Sequence, residues 1–257
     1  MTRLGEVTPN LTSTMSLNGI KHTLQMRKYV VTKILSDTLQ GMIICGYRIS
    51  DRKPMVFKVA SKILHKNSIT ITSQGYIVPI KEDIFNESII IGYLSKKKPH
   101  KGFVNVIDFI DDDENGIYIM VQEYGGESLL EYVRKNMNKY IIGKRKRWRK
   151  HVQKLFKQLV LHVNFLHNNN VCHLDISLEN CVINKKHNVG LIDFGLAQMF
   201  NDSNKFMSNK YGAGKVMYQC NEIYYQNSST HKQFDASKAD IWCLGVCLWI
   251  MLTGKML

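Results

Sequence analysis

Apolar and polar residues alternate along the first half of the chain. "YVVTKIL" (Tyr29–Leu35), "MIICGYRI" (Met42–Ile49) and "MVFKVA" (Met55–Ala60) are strand-like runs separated by turn-forming residues, and they predict three consecutive strands. The period then changes. In "EDIFNESIIIGYLS" (Glu82–Ser95), Ile84, Phe85, Ser88, Ile91 and Leu94 recur at helical spacing. Two more strands are predicted in "FVNVIDFID" (Phe103–Asp111) and "GIYIMVQEY" (Gly116–Tyr124), joined through the acidic turn "DDDENG". "GGESLLEYVRKN" (Gly125–Asn136) opens a helix, and "GKRKRWRKHVQKLFKQL" (Gly143–Leu159) runs from clustered cations into a second, amphipathic one. "CVI" (Cys181–Ile183) and "VGLI" (Val189–Ile192) predict a hairpin about "NKKHN", and "IWCLGVCLWIML" (Ile241–Leu252) predicts a buried helix.

The pattern divides the chain. Residues 1–27 are polar and predict a loose arm. Residues 28–124 predict a small antiparallel sheet with one helix, interrupted by an insertion at about 62–80 that carries some extended structure. Residues 125–257 predict a mainly helical part. The fold class is therefore α+β and bilobal, with a waist near Glu123–Gly126, where a cleft would bind ligands.

Composition narrows the picture. With 44% hydrophobic residues the chain is not disordered, and 257 residues suffice for two lobes with real cores. No apolar window has the length and purity expected of a membrane span, and the first residues lack a signal peptide's apolar stretch. Six scattered cysteines with no CxxC pair predict reduced thiols and a cytoplasmic setting. The net charge of +14 favours an acidic partner. Most of that density sits in Gly143–Leu159, readable as a solvated basic lead-in to a helix, a docking patch for acidic substrates or, through the basic run at 144–150, a nuclear-localisation signal. No nucleic-acid motif accompanies it, and the sequence is silent on oligomeric state.

The chemistry concentrates in "CHLDISLENCVINKKHNVGLIDFGLAQ" (Cys172–Gln198), where Asp175, Asn180 and Asp193 stand beside short apolar runs. A loop with Asp and Asn five residues apart, then a hairpin returning to "DFG", resembles a protein kinase. The resemblance runs from about Tyr29 to the last residue. It implies transfer of the ATP γ-phosphoryl group to a protein Ser/Thr hydroxyl. Asp175 would orient the acceptor as base, and Asn180 and Asp193 would hold Mg2+. Lys58 in "VFKVA" would hold the nucleotide phosphates and pair with Glu87 in "FNESIIIGYL", with Glu82 as a competitor. The 29-residue separation of Lys58 and Glu87 agrees with the insertion. Around adenine the resemblance places Gly41, Ile43, Val56, Gln122, the backbone of Glu123 and Gly125, and Val182.

Several positions depart from the family pattern. In "ILSDTLQGMIICG" only the third glycine of the phosphate-covering loop remains, as Gly41, with Ser36 and Thr38 at the other two places. Leu174 replaces the arginine that in many kinases receives a phosphorylated activation loop, which makes that switch a poor fit here. Ser177 replaces a lysine that touches the γ-phosphate, and Lys215 in "GKVMYQCNE" (Gly214–Glu222) is expected to reach back and supply the missing cation. Ser203, Ser208 and Tyr211 lie in the same segment and are open to phosphorylation. Asp240 matches a buried helix aspartate that anchors the catalytic loop. Family members continue past this helix, so the resemblance implies a lobe lacking its last helices and an unpaired Glu222. The "HLD…EN" and "GK…Y" combination is also similar to divergent protist kinases, including the apicomplexan FIKK group, although the strand here reads "VFKV". The alternative is a pseudokinase that uses the fold as a binding module.

Overall fold

The structure is a computed structural model that describes residues 15–67, 69–71, 77–79, 82–97, 102–141, 145–201, 206–210, 212–225 and 233–256. The chain forms two compact units, the first comprising Met1–Ile84 with Val106–Tyr124 and the second Phe85–Asn105 with Gly125–Leu257.

The first unit is built on a five-stranded antiparallel sheet in the order β1-β2-β3-β7-β6. Its strands are β1 (Tyr29–Asp37), β2 (Gly41–Arg48), β3 (Pro54–Ser61), β6 (Val106–Asp112) and β7 (Ile117–Glu123). The predicted strands are thus all present. Side chains alternate across a pleated strand, so register decides which residues share a face. Ile44 pairs with Phe57, and Phe57 with Val121; all three are buried in one core. Ile43 pairs with Lys58 and Cys45 with Val56, while Val56 pairs with Gln122. Ile43, Val56, Lys58 and Gln122 therefore stand together on the opposite face.

The core face is covered by helix α1 (Leu17–Met26), within the stretch expected to be a loose arm. Only Ile20 and Leu24 of this helix are buried, four residues apart and fully enclosed, so the surrounding polarity hid a one-stripe amphipathic helix. Ser16 caps it by accepting from Gly19 N–H at 3.2 Å. The predicted insertion holds a short helix, α2 (Lys62–Asn67), and a two-stranded ribbon of β4 (Ile69–Ile71) and β5 (Ile77–Pro79).

The second unit contains α3 (Ile84–Ser95) from Phe85 onward, β8 (Glu127–Ser128), α4 (Leu129–Ile141) and the long α5 (Arg145–His167). The predicted hairpin is β10 (Cys181–Ile183) with β11 (Val189–Leu191), and β8 adds to its free side. Two further ribbons pair β9 (Val171–Cys172) with β12 (Gln198–Met199), and β13 (Met207–Ser208) with β14 (Phe234–Asp235). A short helix, α6 (Asn221–Tyr224), precedes α7 (Ala236–Thr253). Asp235 caps α7 by accepting from Ser237 and Lys238 N–H, and Gly254 closes it in the left-handed conformation at φ 71°.

Helix α7 is buried on one side only. Ile241, Trp242, Trp249 and Leu252 are exposed, while Ala239, Asp240, Cys243, Leu244 and Cys247 are buried. By length and composition α7 could cross a membrane, contrary to the expectation that no segment could; half of its apolar window is buried inside this unit.

Candidate active site

The loop between β9 and β10 is held by a single carboxylate. Asp240, on α7 and fully buried, accepts His173 N–H on Oδ2 and Leu174 N–H on Oδ1, both at 2.9 Å. His167 Nε2 lies 2.9 Å from the same Oδ2. A buried charge is costly unless its lone pairs are used, and here they are. The expected anchoring role of Asp240 is therefore present. His167, Cys172 and Asp240 bring ligand atoms within 4.8 Å of one another, but both carboxylate oxygens already serve the loop backbone.

His173 continues the scaffold. Its Nδ1 accepts Asp175 N–H at 3.3 Å and its Nε2 lies 3.1 Å from the Ile192 carbonyl, which fits a neutral ring donating through Nε2. The ring packs on Phe194 with centroids 4.7 Å apart. Ile192 N–H in turn donates to the Asn180 carbonyl at 3.0 Å. The loop that carries Asp175 and Asn180 is thereby tied to the turn that carries Asp193, whose φ of 65° is left-handed.

Asp175 and Asn180 meet directly. Asn180 Nδ2 donates to Asp175 Oδ2 at 2.6 Å and to the Asp175 carbonyl at 3.0 Å. Both amide hydrogens are spent inward, so the amide oxygen remains as the acceptor. Lys215 approaches from the following segment: its N–H donates to Asp175 Oδ1 at 3.1 Å and its Nζ lies 2.9 Å from Oδ2. Gly214 makes this approach possible. At φ 78°, its absent Cβ would stand 2.9 Å from the Leu174 carbonyl.

Leu174 is buried with Cys172, Leu196, Ala213, Cys220, Ile223, Phe234, Ala236 and Ala239. The position expected to lack a charge is thus filled by apolar packing against the segment that follows the "DFG" turn. Ser208 is also buried, donating to Gln198 Oε1 at 2.7 Å, and so is not an accessible modification site. Ser203 and Tyr211 lie outside the described residues. Glu222 is exposed rather than a buried unpaired acid, and borders a groove of about 830 Å³ with Trp242 and Lys238.

In the first unit, Lys58 Nζ lies 3.8 Å from Glu82 Oε2, so the competitor glutamate does engage it. Glu87 lies in the second unit and is 1% exposed. Gln122 is buried, its Nε2 3.9 Å from Met120 Sδ. Glu123 pairs with Lys53. Gly41 is glycine for a local reason: a Cβ there would stand 2.2 Å from the Val59 carbonyl across the sheet. In the second unit Val182 is buried, and a Cβ on Gly125 would meet its methyl at 2.6 Å.

Two supporting residues escaped the sequence reading. Tyr218 is buried; its hydroxyl donates to Glu179 Oε2 at 2.7 Å and accepts Leu178 N–H at 3.3 Å. Burial and the Glu179 carboxylate both push its phenol pKa up. Glu179 thus orients Tyr218 beside the loop that carries Asp175, a link between residues 39 apart that no local pattern marks.

A five-stranded antiparallel unit, and a second unit whose loop joins a carboxylate to an amide before a hairpin, define the α+β class expected for phosphoryl transfer. Residues 41–257 match the protein kinase domain family, and the chain belongs to that family. It is 28% identical over 232 residues to the serine/threonine-protein kinase KIN4 of Saccharomyces cerevisiae, covering 89% of this chain and 26% of that protein. It is 26% identical over 238 residues to a carbon catabolite-derepressing protein kinase of Secale cereale, covering 93% and 42%. A probable serine/threonine-protein kinase MARK-B of Dictyostelium discoideum is 26% identical over 219 residues, covering 84% and 28%. The chain thus spans between about a quarter and two-fifths of the length of these relatives.

Proposed function

We propose that this chain transfers the γ-phosphoryl group of ATP to serine or threonine hydroxyls of protein substrates. The observation that carries the reading is the inward-turned Asn180 amide bonded to Asp175. Phosphoryl transfer asks mainly for alignment and neutralised charge. With both its hydrogens committed, Asn180 offers Oδ1 to a hard cation, and oxygen donors are what Mg2+ takes. Asn180 and Asp193 would hold Mg2+, which when bound offsets phosphate charge.

The chain's own residues do the rest. Asp175 Oδ2 is engaged by Asn180 and Lys215, whereas among the described residues Oδ1 has one bond, from Lys215 N–H. The free lone pair of Oδ1 receives and orients the acceptor hydroxyl and takes its proton. Lys215 Nζ, 2.9 Å from the same carboxylate, supplies positive charge where Ser177 has none. Lys58 would hold the nucleotide phosphates, and the family resemblance assigns Glu87 the role of that lysine's partner carboxylate. The family resemblance assigns adenine contacts to Gly41, Ile43, Val56, Gln122 and the Glu123 backbone in the first unit, and to Val182 and the Gly125 backbone in the second.

The test is transfer of labelled phosphate from ATP–Mg2+ to a mixed Ser/Thr/Tyr peptide pool, beside melting curves with and without the nucleotide. Wild type should label Ser/Thr peptides and gain stability with ATP–Mg2+. Asp193→Asn should lose both effects, Asp175→Asn only transfer. Lys215→Met should lower kcat on the order of a hundredfold, with Lys215→Arg recovering part. A folded wild type without transfer or metal-dependent stabilisation would leave the binding-module alternative. Transfer unaffected by Lys215→Met would remove that lysine from the mechanism.

A further inference from the structure

Helix α5 separates its charges from its apolar side. Trp148, Val152, Leu155, Leu159, Val163 and Leu166 are buried, with Trp148 Nε1 donating to the Met251 carbonyl at 2.9 Å. Lys146, Arg147, Arg149, Lys150, Lys154 and Lys157 are all exposed. The helix contains no acidic residue from 145 to 167.

The β10–β11 turn adds Lys185 and Lys186, both exposed, and is fastened to the same helix. Gln158 Nε2 donates to the His187 carbonyl at 3.1 Å, and Gln158 Oε1 accepts Val189 N–H at 3.0 Å. The Tyr132 hydroxyl, from α4, lies 2.8 Å from His151 Nε2 and 3.2 Å from His187 Nδ1. Asn184 Oδ1 accepts Lys186 and Asn188 N–H, which fixes the turn itself.

Among the described residues none of these eight cations is ion-paired, whereas Glu127 and Glu131 on the neighbouring β8–α4 segment are already engaged by Lys135 and Arg134. Uncompensated charge on a pre-ordered surface attracts an anionic partner with little ordering cost.

We propose that the α5 face and the β10–β11 turn form a docking surface for a carboxylate-rich segment of a polypeptide. The inference deepens the kinase reading by naming the chemistry of a partner. From Lys146 to Lys157 the helix rises about 16 Å, which an extended segment of about five residues spans. A polypeptide is favoured over nucleic acid because, among the described residues, this face offers no exposed Phe, Tyr or Trp ring for base stacking: Trp148 is buried, Tyr132 and Phe156 are half-buried, and the exposed His187 ring is already packed edge-on against Tyr132 and His151. The family's reaction on protein substrates points the same way.

The test is fluorescence anisotropy of a labelled Glu/Asp hexapeptide against the full chain at physiological salt, with a Gln/Asn hexapeptide as control. Lys150→Glu/Lys154→Glu and Lys185→Glu/Lys186→Glu are the variants. Saturable binding of the acidic peptide alone, weakened about tenfold or more in each variant, is expected. Phosphorylation of a short neutral peptide should be unchanged in both. No saturable binding, or binding indifferent to charge reversal, overturns the proposal. Stronger binding of an oligonucleotide or of anionic vesicles, displacing the peptide, also overturns it. Acidic-peptide binding by a chain that transfers no phosphate would sink the kinase reading and keep this one. Transfer without binding would do the reverse.

Discussion

Replacing Asp240 by alanine removes one carboxylate and orphans three donors. Two are the buried His173 and Leu174 N–H groups, each now 2.9 Å from an oxygen of a fully buried side chain. A buried N–H left without an acceptor costs about 1–3 kcal/mol, so the two together cost about 2–6 kcal/mol. The third, His167, is half-buried and turns toward solvent, so it adds little. In a unit of this size each kcal/mol lowers the melting temperature by about 2–4 °C. Asp240→Ala should therefore melt roughly 10 °C below wild type, and Asp240→Asn, which keeps one oxygen, between the two. Thermal unfolding followed by urea titration reads the effect, and an unchanged m-value assigns it to stability. Because the orphaned donors flank Asp175, phosphoryl transfer by Asp240→Ala should also fall at temperatures where it stays folded. A melt within about 2 °C of wild type, outside the range expected for two orphaned donors, would refute the anchoring argument.

Three further outcomes are expected. Leu174→Ala should cost about 2–5 kcal/mol by emptying the cluster around Cys172 and Ile223; Leu174→Arg should be worse, since it buries a charge in that space, as urea midpoints would show. Gly214→Ala should destabilise by about 1–2 kcal/mol for a non-glycine residue at φ 78°, and should lower kcat more than KM because Lys215 follows it. Burial, then His187 and Lys154, hold the His151 pKa below its ordinary value. The unfolded chain takes that proton near pH 6.5 while the folded one does not, so this stability is present above about pH 6.5 and is lost as pH falls below it. Melting temperature should decline between pH 7.5 and 5.5, and less steeply in His151→Gln.

Much of the fold was legible because alternation is a local signal. The strands about Phe57 and Val121 announce themselves in five or six residues, and the hairpin about "NKKHN" has two short runs with a polar turn. Helix α1 was not legible, since Ile20 and Leu24 are a stripe only once a sheet lies beneath them. At the site, Asp175, Asn180 and Asp193 were singled out through the kinase resemblance of their motifs, and the structure joins Asp175 to Asn180 and ties their loop to the turn that carries Asp193. Lys215 was expected to reach back because Ser177 lacks a charge, but its direct contact with Asp175 was not foreseen. The Glu179–Tyr218 bond was invisible because it joins residues 39 apart without a pattern. Gly41 has a second reason that its motif did not show: a glycine read as making room for phosphate also makes room for a neighbouring strand's carbonyl.

The apolar seat of Leu174 sets how the segment after the "DFG" turn responds to its surroundings. An anchor made of a guanidinium and a phosphate is weakened by salt, because counter-ions screen both partners. An anchor made of methyl groups is indifferent to such screening, is strengthened by sulfate, and loosens as the solution is cooled. For this chain the ordering of that segment should persist in concentrated salt and be at its weakest in the cold.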